Sequence, residues 1–174
     1  MEKVSRLSAL TDVVTRIEHD DRLDGVASSL SGVIASVVPE GNARAILRGA
    51  GLGHPAHPML TDLPIGAWTS AWVLDLVGGQ RGARAAQMLV GFGCLCAVPT
   101  ALSGAADWLA RDRVDQRVGV VHASANSAAF VLYSCSWLAR RRHRRGTGIA
   151  FGMLGAAAAT AGGYLGGRLA FGEE

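Results

Sequence analysis

A chain of 174 residues is long enough for one domain or a small helical bundle. Apolar residues make up 49% of it and charged residues only 18%, whereas soluble domains are roughly a quarter charged. The formal net charge is +3 and the mean hydropathy is +0.25. These values disfavour a soluble enzyme and indicate a protein that is largely embedded in a membrane.

Residues 1–50 predict an N-terminal amphipathic helical leader that is more polar than the rest of the chain. Between 23 and 38 the apolar residues fall on one helical face, and Pro39 and Gly41 end the pattern. Such a helix suits packing on the bundle, packing on a partner, or the membrane interface. The leader has no apolar core near the N terminus, so we expect the first span to direct its own insertion.

Four long apolar runs follow the leader, and a helix needs roughly 20 residues to cross the hydrocarbon. We therefore expect residues 51–174 to form an all-α, integral membrane four-helix bundle. Pro58 suits the first position of the first helix. An apolar soluble bundle is the alternative, but the second and fourth runs lack the polar stripes of soluble helices. The predicted spans are about 58–79, 84–109, 118–139 and 146–171.

Up-and-down connectivity of these spans gathers polar side chains at one end of the bundle. Ionisable groups at membrane depth are costly and tend to face the interior at a working site. We expect one buried polar cluster there, with His57 and His122 no further apart than about two helix diameters (~20 Å). The members at this end are His54, His57, Asp62, Asp107, His122 and Asn126.

This end offers three kinds of chemistry. His57 and His122 could bind a b-type haem, with Asp62 and Asn126 holding their second ring nitrogens. A transition metal is the second possibility, and proton relay through the histidines is the third. The candidate metal ligands are His54, His57, His122 and Asp107.

Each of these residues also has a structural interpretation. His54 suits a polar turn before a proline, and His57 suits a helix cap. His122 could pack against a neighbouring acid or amide. Asp107 could form an ion pair with Arg168.

The segment RRRHRR, residues 140–145, joins the third and fourth spans. Its compact positive charge favours the cytoplasmic side of the membrane and suits anionic lipid. The histidine end then lies on the opposite side. Because the arginines flank spans and line no groove, we expect no nucleic-acid binding.

Three ordered motifs are present: GHPAHPMLTDLPIGAW at 53–68, RVGVVHASAN at 117–126 and GGYLGGRL at 162–169. Together they resemble a family of bacterial predicted membrane proteins, the domain of unknown function 2231 family (DUF2231). The resemblance implies four spans. Some members continue into a Rieske-type iron–sulfur domain, which we expect to be missing here, and this implies electron-transfer partners. Relatives often have a histidine or an acid where this chain has Arg168, which cannot bind a cofactor metal.

The chain contains no nucleophile–base arrangement, phosphate loop or complete metal motif, so the sequence favours a non-enzymatic membrane accessory or scaffold protein. One alternative is a haem-b or metal-binding electron-transfer subunit. The other is a small proton or metal transport component, although no discontinuous repeat is apparent. We expect the protein in the bilayer of a bacterial cytoplasmic membrane, with a redox protein or a second copy of the chain as candidate partners.

Overall fold

The computed structural model describes residues 2–172, with side chains from residue 10 onward. This part of the chain forms seven helices and no strand, so the all-α prediction is confirmed for it. The helices are α1 (Glu2–Glu18), α2 (Leu23–Val37), α3 (Asn42–Leu47), α4 (Ala56–Val77), α5 (Gly79–Trp108), α6 (Arg113–Arg141) and α7 (Arg145–Phe171).

The four long helices form two hairpins, in which α4 packs along α5 and α6 packs along α7. Helix α4 begins at Ala56, two residues before the predicted start at Pro58. Pro55 has an extended backbone, with ψ at 135°, and occupies the N-cap. His57 therefore lies inside the first helical turn, and its interpretation as a helix cap is wrong.

Three helices within residues 2–172 are long and apolar enough to cross a membrane: α5, α6 and α7. Helix α4 has a comparable length of 22 residues, but it carries Asp62 and Asp75 and falls outside that set. The membrane-spanning character of the C-terminal part is therefore supported for three of the four predicted spans.

The leader helices pack on the end of the two hairpins that carries the histidines. Helices α1 and α2 contact α6, and α3 contacts α5. Val14 of α1 packs between Val118 and Leu165, while Ala27 of α2 packs against Trp108. Of the three environments that the amphipathic helix α2 suits, the structure therefore has it on the bundle.

Arg117 connects the leader to the start of α6. Its guanidinium group donates to both carboxylate oxygens of Asp24, at 2.8 and 2.9 Å, and to Asp21 at 2.5 Å. A further bond, of 2.8 Å, runs to the carbonyl oxygen of Glu18. The adjacent guanidinium group holds the pKa of the Asp24 carboxyl below its usual value.

Three residues of α4 each contact a residue of α6, and the three pairs share one constant separation along the chain. Each pair joins residues that are 65 positions apart in the chain. The pairs lie in separate layers, one near each end of the helices and one between them. They are His57 with His122 (ring centres 6.3 Å apart), Trp68 stacked on Tyr133 (4.0 Å, planes 10° apart), and Asp75 bound to Arg140.

Residues of α5 and α7 that are 62 positions apart in the chain make similar contacts. Their equivalent glycines contact either the stacked aromatic rings or the histidine rings. A Cβ atom at any of them would approach the ring more closely than ordinary van der Waals contact allows. These glycines are Gly93 with Gly155, beneath Trp68 and Tyr133, and Gly104 with Gly166, beneath His57 and His122.

Hairpins α4–α5 and α6–α7 are therefore tandem copies related by a pseudo-twofold axis through the three pairs. Because the copies run in the same direction, they form a parallel repeat with its axis along the bundle. Between 57–75 and 122–140 only the histidines and Trp72 with Trp137 are identical at this offset, which leaves no repeat apparent by eye.

The close contacts between glycines and rings predict that Gly→Ala substitutions lower stability by different amounts at different positions. Gly93→Ala should lower stability by about 1–3 kcal/mol because its Cβ meets the Trp68 indole. Gly155→Ala should cost less, since its Cβ would lie 3.0 Å from the Tyr133 ring. Gly163→Ala faces open space and should be neutral or stabilising by up to about 1 kcal/mol. Thermal unfolding in detergent, followed by circular dichroism, measures all three. Equal effects at the three positions would contradict the packing.

The Arg117–Asp24 contact predicts a pH-dependent attachment of the leader. A carboxyl whose folded-state pKa is lowered contributes stability above its unfolded pKa, and loses that contribution as the pH falls through the folded value. Amide hydrogen exchange in residues 23–37, corrected for intrinsic rates, should therefore accelerate only on strong acidification. Asp24→Asn should already weaken protection at pH 7.

Asp12→Asn is the matched control because it removes the same charge from an exposed side chain of the leader. If Asp24→Asn left the exchange profile unchanged, Arg117 would not hold the leader through this carboxylate.

Candidate functional site

His57 docks from the first turn of α4 onto the surface of α5. Its Nδ1 donates to the carbonyl oxygen of Thr100 at 2.9 Å, because a carbonyl can only accept. The ring lies over Gly104, where a Cβ would come 2.7 Å from Cε1. Thr100 in turn donates its hydroxyl to the carbonyls of Cys96, at 2.8 Å, and Leu60, at 3.1 Å. This network fixes the ring against α5.

His122 docks from α6 onto α7 in the equivalent way. Its Nδ1 donates to the carbonyl oxygen of Gly162 at 2.8 Å, and its ring lies over Gly166. The acceptor and the glycine are four residues apart on α7, as Thr100 and Gly104 are on α5. A carbonyl followed four residues later by a glycine is thus used twice to seat a histidine.

The two rings meet on the pseudo-twofold axis. Their centres lie 6.3 Å apart and their planes are nearly perpendicular, at 79°. The predicted proximity of His57 and His122 is confirmed. Both Nδ1 atoms carry the proton that they donate, so a neutral ring at either position leaves Nε2 with a free lone pair.

Asn126 supports His122 without occupying its free nitrogen. The amide nitrogen of Asn126 donates to the His122 carbonyl oxygen at 3.0 Å. It lies 3.3 Å from Nδ1 and 3.2 Å from Nε2 of the same ring. An atom equally distant from both ring nitrogens lies on neither lone-pair axis. The Nε2 lone pair of His122 therefore remains available.

Asp62 does not belong to this cluster. Its side chain is exposed, and it has no hydrogen bond or ion pair in the part of the chain that the structure describes. Five residues on a helix correspond to about 140° of rotation, which takes Asp62 away from the face of His57. The prediction that Asp62 holds a histidine nitrogen is wrong, since the carbonyls of Thr100 and Gly162 accept those bonds.

The remaining candidates lie around the pair. His54 is exposed, with Nδ1 3.1 Å from the Pro55 carbonyl oxygen. Asp107 lies 3.5 Å from the Arg48 guanidinium group, while Arg168 binds Glu18 at 2.8 Å. The expected ion pair between Asp107 and Arg168 is therefore wrong, because each has a partner from the leader.

Over residues 2–172 the structure assembles no group of three or more histidine, cysteine, aspartate or glutamate residues that could hold a metal ion. The two imidazoles that meet are those of His57 and His122. Sequence reasoning missed the residues that seat them. Gly162 and Gly166 are small residues four positions apart, a spacing that by itself suggests only close helix packing. The same spacing separates Thr100 from Gly104 on α5, and this second occurrence was the sequence signal that could have identified the residues that contact the two histidines.

An all-helical chain with several span-length apolar helices and its polar pairs turned inward defines a multi-span membrane protein. A family model described as "Predicted membrane protein (DUF2231)" matches residues 53–174. The chain belongs to this family, as its motifs predicted. No curated protein and no solved structure matches it.

The hydrogen bonds of the site predict the tautomers of its histidines. ¹⁵N NMR of histidine-labelled protein should show His57 and His122 protonated at Nδ1, with Nε2 bare in the neutral form of each ring. His143, whose side chain is exposed, should show the mixture typical of a solvated ring. A neutral ring with its proton on Nε2 and none on Nδ1, in either His57 or His122, would contradict the donation to Thr100 or Gly162.

Proposed function

We propose that this membrane protein binds a haem b iron between His57 and His122 and serves as an electron-transfer subunit. The observation that carries the proposal is the seating of both rings. Each donates Nδ1–H to a backbone carbonyl, which leaves Nε2 as the nitrogen with the lone pair in a neutral ring, and the two rings lie side by side. Metal-binding histidines almost always donate their second nitrogen in this way, which fixes the tautomer and the ring orientation.

The ring separation supports a shared metal atom. An imidazole nitrogen binds a first-row transition metal at about 2 Å. Two such bonds to one metal atom would place the ring centres roughly 6 Å apart, and the centres of the His57 and His122 rings lie 6.3 Å apart. Gly104 and Gly166 support this arrangement because a side chain at either position would push its histidine out of place.

The number of protein ligands favours haem over a bare ion. Zinc sites use three or four protein ligands, whereas the described residues assemble two imidazoles and no third group. Haem needs only axial ligands from the protein, and histidine is a common one. When bound, haem would supply one-electron redox chemistry. The chain's own part is to hold the two neutral imidazoles and to surround them with apolar helices.

The proposal includes a fourth span. Helix α4 has 22 residues and is about 33 Å long, slightly more than the ~30 Å hydrocarbon layer. It packs along the span-length helix α5 and exposes apolar side chains such as Leu63, Ile65 and Leu76. Its acidic residue Asp75 is buried against Arg140. These features suit a helix that faces lipid on one side and the axis on the other.

The proposed setting is the bacterial cytoplasmic membrane, with residues 140–145 on the cytoplasmic side. Arginine enrichment of cytoplasmic loops supports this orientation. The histidine pair then lies near the opposite surface, where α1 and α2 pack on the bundle. A redox protein that meets the leader, or a second copy of the chain, is the partner that this arrangement suits.

The test is an absorption spectrum of detergent-purified protein produced in haem-replete cells, recorded oxidised and after reduction with dithionite. We expect a Soret band and sharpened α and β bands on reduction, as for two axial histidines. His57→Ala and His122→Ala should each lose or alter these bands. His54→Ala, at an exposed position of the same segment, should leave them unchanged.

A colourless wild-type protein would overturn the proposal, and so would absorption bands that persist in both His57→Ala and His122→Ala. Elemental analysis of the same samples separates the alternatives. A bound metal without haem would support metal handling by the histidine pair. No bound metal at all would support an accessory or scaffold role, with the histidines as hydrogen-bonded packing residues.

A further inference from the structure

Residues 140–145, which join the end of α6 to the start of α7, include five arginines, and the structure divides them into two groups. Arg140 and Arg145 bind Asp75, and the guanidinium carbon of Arg141 lies 5.0 Å from the centre of the Trp137 ring. The other two, Arg142 and Arg144, are exposed. Within residues 2–172 their side chains have no hydrogen bond or ion pair. Two of the five charges are therefore available to a ligand.

The turn holds this pair in a fixed backbone. His143 has a left-handed conformation, with φ at 59°, and donates its amide to the Arg140 carbonyl at 3.0 Å. The Arg144 amide donates to the Ala139 carbonyl at 2.9 Å. These two bonds are those of a Schellman motif, which ends a helix without a flexible loop. Arg142 and Arg144 therefore flank one left-handed residue in a defined turn.

Both free arginines line an open cavity of about 200 Å³ between the end of α6 and the start of α7. Its other walls include Leu138, Ala139 and Phe151, which are apolar. The cavity thus combines two unpaired guanidinium groups with an apolar surface that continues onto membrane-spanning helices.

This combination matches the chemistry of one ligand class. Guanidinium groups recognise phosphate through paired, charge-assisted hydrogen bonds. The ends of spanning helices lie at the depth of lipid headgroups, and basic pockets between such helices bind anionic headgroups. We propose that Arg142 and Arg144 bind the phosphate of an anionic phospholipid whose acyl chain lies along Leu138 and Phe151.

The alternative is a diffuse attraction of anionic lipid to all the arginines at this end. Arg81 and Arg84, at the start of α5, provide the comparison. Both are exposed, and they lie at the same end of the bundle, outside the cavity. Replacing either pair removes the same charge from the same membrane surface. Only the first replacement changes the proposed site.

The experiment measures lipid retention by native mass spectrometry of the full chain. The protein is reconstituted with phosphatidylcholine and phosphatidylglycerol, then released into detergent. Wild type should retain phosphatidylglycerol in preference to phosphatidylcholine. The variant R142Q/R144Q should retain about tenfold less phosphatidylglycerol, because it lacks both charge-assisted contacts. R81Q/R84Q should retain as much as wild type.

Three outcomes would overturn the proposal. Equal losses in the two double variants would indicate diffuse electrostatics, and no preference in wild type would indicate no anionic-lipid site. An additional measurement uses millimolar inorganic phosphate as competitor. Retention should persist, because phosphate lacks the acyl chain. Complete displacement would indicate a soluble phosphate site without a lipid. Circular dichroism of each variant checks that the helices are intact.

Discussion

Asp75 and Arg140 form a buried ion pair that joins the two hairpins of the bundle. Their side chains are 6% and 4% exposed, and two hydrogen bonds of 3.0 and 2.5 Å connect them. A charged side chain that is buried to this extent without a partner lowers the stability of the fold by several kcal/mol, so Asp75 and Arg140 stabilise the structure only as a pair. Sliding α4 along α6 by even one turn would separate them. The ion pair therefore sets the register in which the two copies of the hairpin meet.

That register places the other two pairs. Trp68 lies two helical turns from Asp75 and stacks on Tyr133, its equivalent in the second copy. His57 lies a further three turns away and meets His122. From His57 to Asp75 the helix rises about 27 Å, close to the ~30 Å thickness of the hydrocarbon. The charge pair and the histidine pair are thus separated along one axis by about the thickness of the hydrocarbon layer.

Much of this arrangement could be predicted from the sequence, and the remainder has physical reasons for being hidden. Long apolar runs gave the four helices to within a few residues, and up-and-down connectivity brought His57 and His122 together. The axial repeat was hidden because its paired positions differ in chemistry: tryptophan faces tyrosine, and aspartate faces arginine. The acceptors for the histidines were hidden because every residue has a carbonyl group. The prediction for Asp62 was wrong because it used the distance along the chain from His57 and ignored the angle between the two residues around the helix.

Positions 75 and 140 are equivalent across the axis, and exchanging their charges tests this equivalence most directly. Arg145 also contacts Asp75, so the exchange is made in an Arg145→Gln background. In that background Asp75→Arg or Arg140→Asp alone should destabilise the protein by about 3–5 kcal/mol, measured by thermal unfolding in detergent. The combined D75R/R140D exchange should recover most of that loss. If the exchanged protein were as unstable as the single variants, the two helices would not meet as equivalent copies.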